Sequence, residues 1–394
     1  MSRILFFTWS GGGNQPPAIG LAQQLGRRGH EIIVAGYADQ AARFSELGLE
    51  FALLPRSSTP REPFDPTRLM ELMVAGVWAC PDHLADTADV IDRYRPDLVV
   101  VDCLMGAVLA AMEVRQVRTV ALVHSTPGAL APPGGPIDGF VVGELNRVRS
   151  AAGIEPVDGF WDAWERHTVV CASIPELDPL GRDAVDRFGW IGPVFEDLSA
   201  TTWAPDADDA PLVLVSFSSG GAWDQTSRIQ NTIDGLAETG TRAIVTTGAV
   251  DPSCLRVPST SITVERYVPH AAILPYAAAV VTHAGHGTLT AAFAHGLPVV
   301  AIPNLAADQP ALAARAAHLG AGIQLHEDDA APSDIGRAVR TVLEEPSYAR
   351  SARALADRIK TYREPWRSIE AELGAGTPRT RITATASNQT HLNS

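Results

Sequence analysis

The sequence has few cysteines and no recognisable metal-binding motif. Its 394 residues include 4 cysteines, and no two of these form a C-x-x-C pair. The 11 histidines contain no H-E-x-x-H or comparable ligand pair. A zinc knuckle and a redox dithiol are therefore disfavoured, and the cysteines are typical of small buried apolar residues. We expect no metal site and no resident cofactor.

Long apolar runs and excess positive charge are also missing. No segment approaches the roughly 18 to 20 apolar residues that span a bilayer, and the apolar start at residues 4–9 is too short for a signal-peptide core. We expect a cytoplasmic protein without stable membrane insertion. With 31 basic against 45 acidic side chains, the formal net charge is -14. Because such a field repels phosphate backbones, nucleic acid is an unsuitable partner.

Short β-branched and aromatic runs alternate with helical patterns along the whole chain. Such alternation is typical of an α/β protein with parallel sheets and crossover helices. Strands are expected in two series: residues 3–9, 31–37, 51–55, 97–102, 119–124 and 168–173, then 212–218, 242–247, 262–268, 279–283, 298–303 and 322–325. We therefore predict two similar domains, residues 1–198 and 212–345, joined by an Asp- and Pro-rich linker at 199–211. A helix over 346–373 and a disordered tail over 374–394 follow.

The strongest motif lies in the second half, where an apolar strand runs into a glycine-interrupted turn. The turn contains His283, Gly285, His286, Gly287 and Thr288. Small residues let the backbone approach an anion, and the N-terminus of the following helix directs amide donors and partial positive charge towards it. We expect a diphosphate there, with a charge-assisted hydrogen bond from His283. The alternative is an ordinary strand-to-helix turn.

Further polar groups follow other strands at the same predicted sheet edge. They are Ser218 and Ser219 after residues 212–217, the segment with Tyr267, Val268 and His270, and the pair Asp308 and Gln309. The serines suit a phosphate, the aromatic segment a nucleobase, and the carboxylate and amide the hydroxyls of a sugar. Each has a structural alternative: a βα turn, a packed strand end, and a helix cap.

Taken together, residues 266–322 resemble the donor domain of GT-B glycosyltransferases, in the bacterial antibiotic and macrolide branch that includes the calicheamicin type. The segments "YVPH", "HAGHGT" and "DQP" occur in the order and approximate spacing of that family. The resemblance implies two facing Rossmann-like domains, with a C-terminal helix packing back on the first. It also implies that the donor, a nucleotide sugar used as co-substrate, binds the residues named above. Ala291 stands where plant members have a ribose-binding glutamate, which permits a dTDP-sugar while leaving a UDP-sugar open.

The first half departs from the family pattern where the acceptor and the catalytic base are expected. The family places a histidine base after the first strand, but here the loop with Gly13 has Asn14 at that position. Because an amide is not a useful base, three hypotheses stay open. Asp102, the equivalent of the family aspartate, lies unpaired in the cleft and acts as the base; His124 is the base or an acceptor ligand; or Asn14 orients an acidic acceptor. Asp102 as a helix cap and His124 as a pocket wall are the structural alternatives.

The resemblance implies an inverting, metal-independent transfer of a sugar to a hydrophobic natural-product acceptor. Trp78 and Gly13 are expected to contact that acceptor. Two other activities stay open: a nucleotide-sugar epimerase or hydrolase on the same fold, and a non-catalytic nucleotide-sugar-binding or activator protein that has lost its base. A homodimer is also left open.

Overall fold

Two parallel β-sheets form the framework of the computed structural model, which describes residues 1–58, 68–197, 203–204, 210–218, 225–304, 308–326 and 330–374. The first sheet has the order β3-β2-β1-β4-β5-β6-β7 and the second β10-β9-β8-β11-β12-β13. Their strands are β1 Arg3–Phe7, β2 Glu31–Gly36, β3 Glu50–Leu53, β4 Leu98–Asp102, β5 Thr119–Val123, β6 Thr168–Cys171, β7 Gly189–Trp190, β8 Leu212–Ser216, β9 Arg242–Thr246, β10 Ile262–Glu265, β11 Ala277–Thr282, β12 Val299–Ala301 and β13 Gly322–Gln324. The predicted pair of Rossmann-like sheets is confirmed, and the two-residue edge strand β7 is an addition to the prediction.

Both faces of each sheet are covered, because successive strand residues point to opposite faces. In β1, Leu5 and Phe7 belong to one buried cluster, whereas Ile4 and Phe6 belong to another. The second sheet divides its apolar side chains in the same way, with Leu214 and Val215 in separate clusters. Burial on both faces explains why these strands appear in the sequence as continuous apolar runs.

The helices cross between the parallel strands. They are α1 Gln15–Arg27, α2 Ala41–Glu46, α3 Leu69–Met73, α4 His83–Tyr94, α5 Gly106–Arg115, α6 Pro127–Leu130, α7 Pro136–Ala151, α8 Phe160–Glu165, α9 Arg182–Val185, α10 Thr226–Glu238, α11 His270–Ile273, α12 His286–Ala294, α13 Gln309–His318, α14 Pro332–Glu344, α15 Pro346–Ile359 and α16 Trp366–Gly374. A π-helical turn, Val74–Trp78, follows α3. Among the described residues, none of these helices has the length and apolarity to cross a membrane.

The predicted single helix over 346–373 is wrong, because the segment forms two helices, α15 and α16. Pro365 lies in the break between them; proline cannot donate the backbone hydrogen bond that continues a helix. Helix α15 buries Leu355 and Ile359 in the second domain. Helix α16 packs on the first domain as expected, burying Ile369 there, and Glu370 forms an ion pair with Arg28.

Some predictions fall on residues outside the described part of the chain. Ser219 is one of them, as are most of the predicted linker at 199–211 and the tail from residue 375 onward. Gly374, placed in the tail by the prediction, is instead the last residue of α16. The assigned roles of the two domains stay predictions.

Candidate active site

The two domains contact each other through residues that follow the carboxyl ends of their strands. The Ser125 hydroxyl, two residues beyond β5, donates a hydrogen bond to the Asp308 carboxylate. His286 Nε2 lies 2.8 Å from the Ser173 hydroxyl, two residues beyond β6. In open α/β sheets this edge is where ligands bind, and here the two edges meet.

The turn between β11 and α12 leaves a helix N-terminus open. Gly285 occupies the N-cap position, no side chain caps the helix, and its first turn contains no acidic residue. A Cβ atom on Gly285 would lie 2.4 Å from His283 Nε2, so glycine lets the imidazole lie directly against the turn. The buried Ala284 has a φ of 62°, a left-handed conformation that non-glycine residues adopt rarely.

His283 is buried and neutral beside this helix end. Burial, and then the charge of Arg228, lower the pKa of His283 to about 4. A neutral imidazole can still donate to an anion, so the expected charge-assisted hydrogen bond to a diphosphate stays a prediction. His283 Nδ1 has no hydrogen-bond partner among the described residues. A buried imidazole with one unused nitrogen can take a ligand atom without losing an existing contact.

Arg228 places a buried positive charge in this region. It extends from α10, is 6% exposed, and donates from Nη1 to Asn304 Oδ1 at 2.5 Å. Arg228 was not predicted from the sequence; an arginine on the largely apolar face of an amphipathic helix is the pattern that could have revealed it. Its charge favours anions near His283.

The other residues predicted to bind the nucleotide-sugar donor differ in exposure and in hydrogen bonding. Gly287 is exposed and Thr288 half-buried at the helix end. Ser218 pairs its backbone with the Gln225 amide at 2.9 and 2.8 Å. Tyr267 is 67% exposed, whereas Val268 is buried in the core. His270 Nε2 lies 2.9 Å from the Ser216 hydroxyl. Their roles in binding phosphate and base stay predictions.

Asp308 and Gln309 stand at the start of α13. Asp308 is at the N-cap position but makes no capping bond through its side chain, because its carboxylate accepts from Ser125 instead. Gln309 Oε1 accepts a hydrogen bond from the backbone N–H of Asn304 at 3.1 Å. Burial raises the pKa of Asp308, while the Ser125 hydrogen bond and the charge of His124 oppose that rise. The sugar-binding roles of both residues stay predictions.

His286, expected at the diphosphate, directs its side chain to the first domain instead. Burial, and then the charge of His124, lower the pKa of His286 to about 3. The imidazole is therefore neutral in its hydrogen bond to Ser173. At this residue, the ring contributes to the domain contact and only the backbone belongs to the helix end.

Asp102 is fully hydrogen-bonded, which corrects the expectation that it is unpaired. Its Oδ1 accepts from Trp9 Nε1 and from the Leu104 amide, both at 3.0 Å. Its Oδ2 accepts from His124 Nδ1 at 2.8 Å and from Asn14 Nδ2 at 3.3 Å. The expectation of an unpaired carboxylate followed from the absence of a histidine on the β1–α1 loop. The fold supplies His124 from the neighbouring strand β5 and the indole of Trp9.

The side chain of Asn14 is also hydrogen-bonded within the protein. Its Nδ2 donates to the Trp9 carbonyl at 3.0 Å besides Asp102, and its Oδ1 accepts from the Gly11 amide at 3.1 Å. It is 3% exposed. A side chain with these bonds orders its own loop, so this placement gives no support to the hypothesis that Asn14 orients an acceptor, which stays a prediction.

His124 forms a buried pair with Asp102. The Asp102 side chain is 2% exposed and that of His124 11%. A carboxylate can only accept, so Nδ1 carries the proton in this pair. Burial disfavours the charged imidazole, but the charge and the hydrogen bond of the Asp102 carboxylate outweigh burial and hold the pKa of His124 well above its usual value. No hydrogen bond from the described residues reaches Nε2.

The same place contains the one group of candidate metal ligands found among the described residues. Ligand atoms of Asp102, Cys103 and His124 lie within 4.8 Å of one another. Burial raises the pKa of the Cys103 thiol, which keeps it protonated, and metals bind the thiolate. The Asp102 oxygens already accept from four N–H groups. The arrangement fits an acid–base pair better than a metal centre.

The two predicted acceptor contacts differ in their exposure. Gly13 lies exposed on the β1–α1 loop. Trp78 is 5% exposed and packs in the core of the first domain, with its backbone against α5. A contact between Trp78 and an acceptor would therefore require a rearrangement of that core. Its predicted role is not supported by this placement.

Comparison with known proteins gives a consistent result. Residues 230–369 match the family model described as erythromycin biosynthesis protein CIII-like, C-terminal domain. The 4'-demethylrebeccamycin synthase of Lentzea aerocolonigenes is 26% identical, across 90% of this chain and 95% of that protein. The vancomycin aglycone glucosyltransferase of Amycolatopsis orientalis is also 26% identical, across 91% and 94%.

Solved structures match over nearly the whole chain. The calicheamicin glycosyltransferase CalG4 superposes with a TM-score of 0.78 at 24% identity, covering 96% of this chain and all of that one. The glycosyltransferase VinC, solved in complex with dTDP, gives 0.70 at 18% identity, covering 94% and 98%. The expected GT-B fold, the resemblance to antibiotic glycosyltransferases and the expected enzyme class are confirmed.

Proposed function

We propose that this chain, a GT-B glycosyltransferase of the natural-product antibiotic type, transfers a sugar from a dTDP- or UDP-sugar to a hydrophobic acceptor with inversion and without a metal. The observation that carries the proposal is the open N-terminus of α12 beside the neutral His283. It lies in the same interdomain region as the Asp102–His124 pair. The uncapped helix end and the Asp102–His124 pair therefore lie near the same domain boundary, as transfer between a donor and an acceptor requires.

The donor diphosphate binds at the N-terminus of α12. Amide groups of Gly287 and Thr288 point at it, and His283 donates from its ring. Arg228 adds positive charge from α10. Asp308 and Gln309 accept hydrogen bonds from sugar hydroxyls at the start of α13, where the carboxylate now accepts from Ser125. Charge complementarity for a diphosphate is therefore present in the protein itself.

The reaction is a single displacement at the anomeric carbon. The acceptor oxygen forms the new bond as the bond to the diphosphate oxygen breaks, and the acceptor proton passes to a base on the first domain. Attack comes from the face opposite the diphosphate, so the configuration inverts. The helix N-terminus and His283 stabilise negative charge on the departing diphosphate, the role a metal ion fills elsewhere. The contacts Ser125–Asp308 and His286–Ser173 hold the domains together and help to exclude water.

The test combines donors, acceptors and one variant. Wild-type protein is incubated with UDP- and dTDP-sugars and a panel of phenolic and polyketide acceptors, while nucleoside diphosphate release and acceptor mass are followed. We expect release to match glycoside formation. His283→Ala should weaken nucleoside diphosphate binding about tenfold or more, since a hydrogen bond to a charged group contributes about 1.5–3 kcal/mol. His295→Ala is the matched control, because His295 is exposed at the opposite end of the same helix. Tight donor binding without transfer to any acceptor would contradict the proposal.

A further inference from the structure

We propose that the general base is His124, held by Asp102, so that the catalytic histidine enters from β5 rather than from the β1–α1 loop. This inference rests on the proposed function and names the group that deprotonates the acceptor. In the family that the sequence resembles, the base is expected on the other side of this aspartate, where the chain has Asn14. The aspartate has kept its place and has a different histidine partner.

The hydrogen bonds of the pair leave one atom available for chemistry. Asp102 accepts a hydrogen bond from His124 Nδ1 at 2.8 Å. Its other acceptor positions take hydrogen bonds from Trp9, Leu104 and Asn14. The carboxylate is thereby fixed as an acceptor, and the imidazole is fixed with its proton on Nδ1. Above the raised pKa of His124 the ring is neutral, and Nε2 then carries the lone pair on the ring edge directed away from Asp102. This is the arrangement by which a carboxylate orients a histidine base.

Contacts around His124 place this residue at the boundary with the second domain, near the residues proposed to bind the donor sugar. Its chain neighbour Ser125 bonds to Asp308 of the second domain. The charge of His124 also acts on Asp308 and on His286, the first residue of α12. The histidine therefore lies near both the proposed sugar site and the proposed diphosphate site. An acceptor oxygen poised to attack the anomeric carbon lies within reach of such a base.

His124 takes up the proton that the acceptor loses in this step. The acceptor O–H gives its proton to Nε2 while its oxygen bonds to the anomeric carbon, and the electron pair of the broken bond leaves with the diphosphate. The imidazolium keeps the proton on Nδ1, where it is hydrogen-bonded to Asp102, and afterwards releases the Nε2 proton to solvent. The groups that face His124 are Asp102, Cys103, His286 and Asp308.

Asn14 fills the vacated position as a structural replacement. Its amide reaches Asp102 Oδ2 at 3.3 Å, close to where an imidazole on that loop would donate. Gly11 makes this close packing feasible, because a Cβ there would lie 2.4 Å from the Trp9 ring and 2.8 Å from Asn14 Oδ1. Asp102 thus accepts a hydrogen bond from Asn14 on one side and from His124 on the other, and only one of these two residues is a histidine.

The test varies the acidity of the acceptor. Wild type and His124→Gln are compared on a series of phenols, from weakly acidic ones to 4-nitrophenol, at a pH where the last is ionised. General-base catalysis is worth roughly 100-fold or more, so His124→Gln should lose that factor on weakly acidic phenols and little on ionised 4-nitrophenol. An equal loss on all phenols, or no loss on any, would overturn the assignment. Calorimetric binding of dTDP or UDP to the variant verifies that the donor domain is folded.

A second variant returns the base to the loop. In His124→Gln with Asn14→His, the new imidazole can donate to Asp102 from the other side. We expect it to recover at least tenfold of the lost rate on weakly acidic phenols, whereas Asn14→Gln in the same background should recover none. Equal recovery by both would overturn the proposal. If wild type transfers the sugar and His124→Gln has unchanged rates, the assignment of His124 as base is refuted while the proposed function stands. If wild type transfers no sugar, both the proposed function and the assignment of the base are refuted.

Discussion

The Ser125 hydroxyl donates a hydrogen bond to the Asp308 carboxylate across the boundary between the two domains. Ser125 directly follows the proposed base, and Asp308 begins the helix that we propose to bind the donor sugar. A sugar hydroxyl that bonds to the carboxylate must compete with Ser125. Donor binding and the position of the β5 end are thereby linked through one hydrogen bond.

This bond predicts a pH dependence of donor binding. Burial raises the pKa of Asp308, and the Ser125 hydrogen bond opposes the rise. If the charged carboxylate binds the sugar, the donor KM is constant above that raised pKa and increases as the pH falls through it. Ser125→Ala removes the opposing bond, so the increase begins at a higher pH. Donor KM measured against pH in both proteins checks this, and coincident profiles would refute it.

Arg228 is predicted to contribute to nucleoside diphosphate affinity. Its guanidinium is buried, and its charge is among the causes that lower the pKa of His283. Arg228→Met should weaken dTDP or UDP binding by about 1.5–3 kcal/mol, the usual range for a hydrogen bond to a charged group. Calorimetry measures the loss. Arg256→Met is the matched control, because Arg256 forms an exposed pair with Asp234 in the same domain; similar losses in both variants would count against the assignment.

Transfer is predicted to be independent of a metal at the Asp102–Cys103–His124 group. Cys103→Ala removes the thiol that lies 3.7 Å from His124 Nδ1 while leaving the Asp102–His124 hydrogen bond in place. We expect kcat to stay within a few-fold of wild type and to be insensitive to a chelator. Elemental analysis of the purified protein accompanies the assay. Chelator-sensitive activity that is abolished in Cys103→Ala would establish a metal centre in place of the acid–base pair.

Helix α16 is predicted to stabilise the first domain. Ile369 is fully buried in the cluster that contains α1, and Arg28 lies over the Trp366 ring. Ile369→Ala should lower the free energy of unfolding by about 2–5 kcal/mol, as buried large-to-small substitutions do. Lys360→Ala, at an exposed position before α16, should cause little change. Denaturant unfolding compares the two, and an unchanged midpoint for Ile369→Ala would show that α16 is not a stabilising element.

The fold was largely predictable because its strands are buried on both faces and therefore appear as continuous apolar runs. Residues 97–102 and 119–124 were predicted as strands, and the observed ones are Leu98–Asp102 and Thr119–Val123. The two-residue strand Gly189–Trp190 was missed because so short a segment shows no periodicity. The break at Pro365 was a sequence feature that the helical pattern on either side obscured.

The sequence predicts that Asp102 and His124 lie near one edge of the sheet, but it does not predict their pairing. Asp102 and His124 end adjacent strands, and their equivalents in any parallel sheet lie near one edge. Their hydrogen bond depends on side-chain direction, which sequence spacing does not determine. Trp9, Ser125 and Ser173 were missed because their role is a contact with residues far away in the chain. Trp78 was misjudged because an aromatic residue in an irregular segment can pack in a core as well as line a cleft.

The anomeric configuration of the first-formed product tests the central claim most directly. A donor of known configuration is incubated with a transferable phenol, and the product glycoside is observed by proton NMR before it can equilibrate. Direct displacement with His124 as base predicts a glycoside of opposite configuration, formed in step with nucleoside diphosphate release. A product that retains the donor configuration, or release of free sugar without glycoside, would contradict the account.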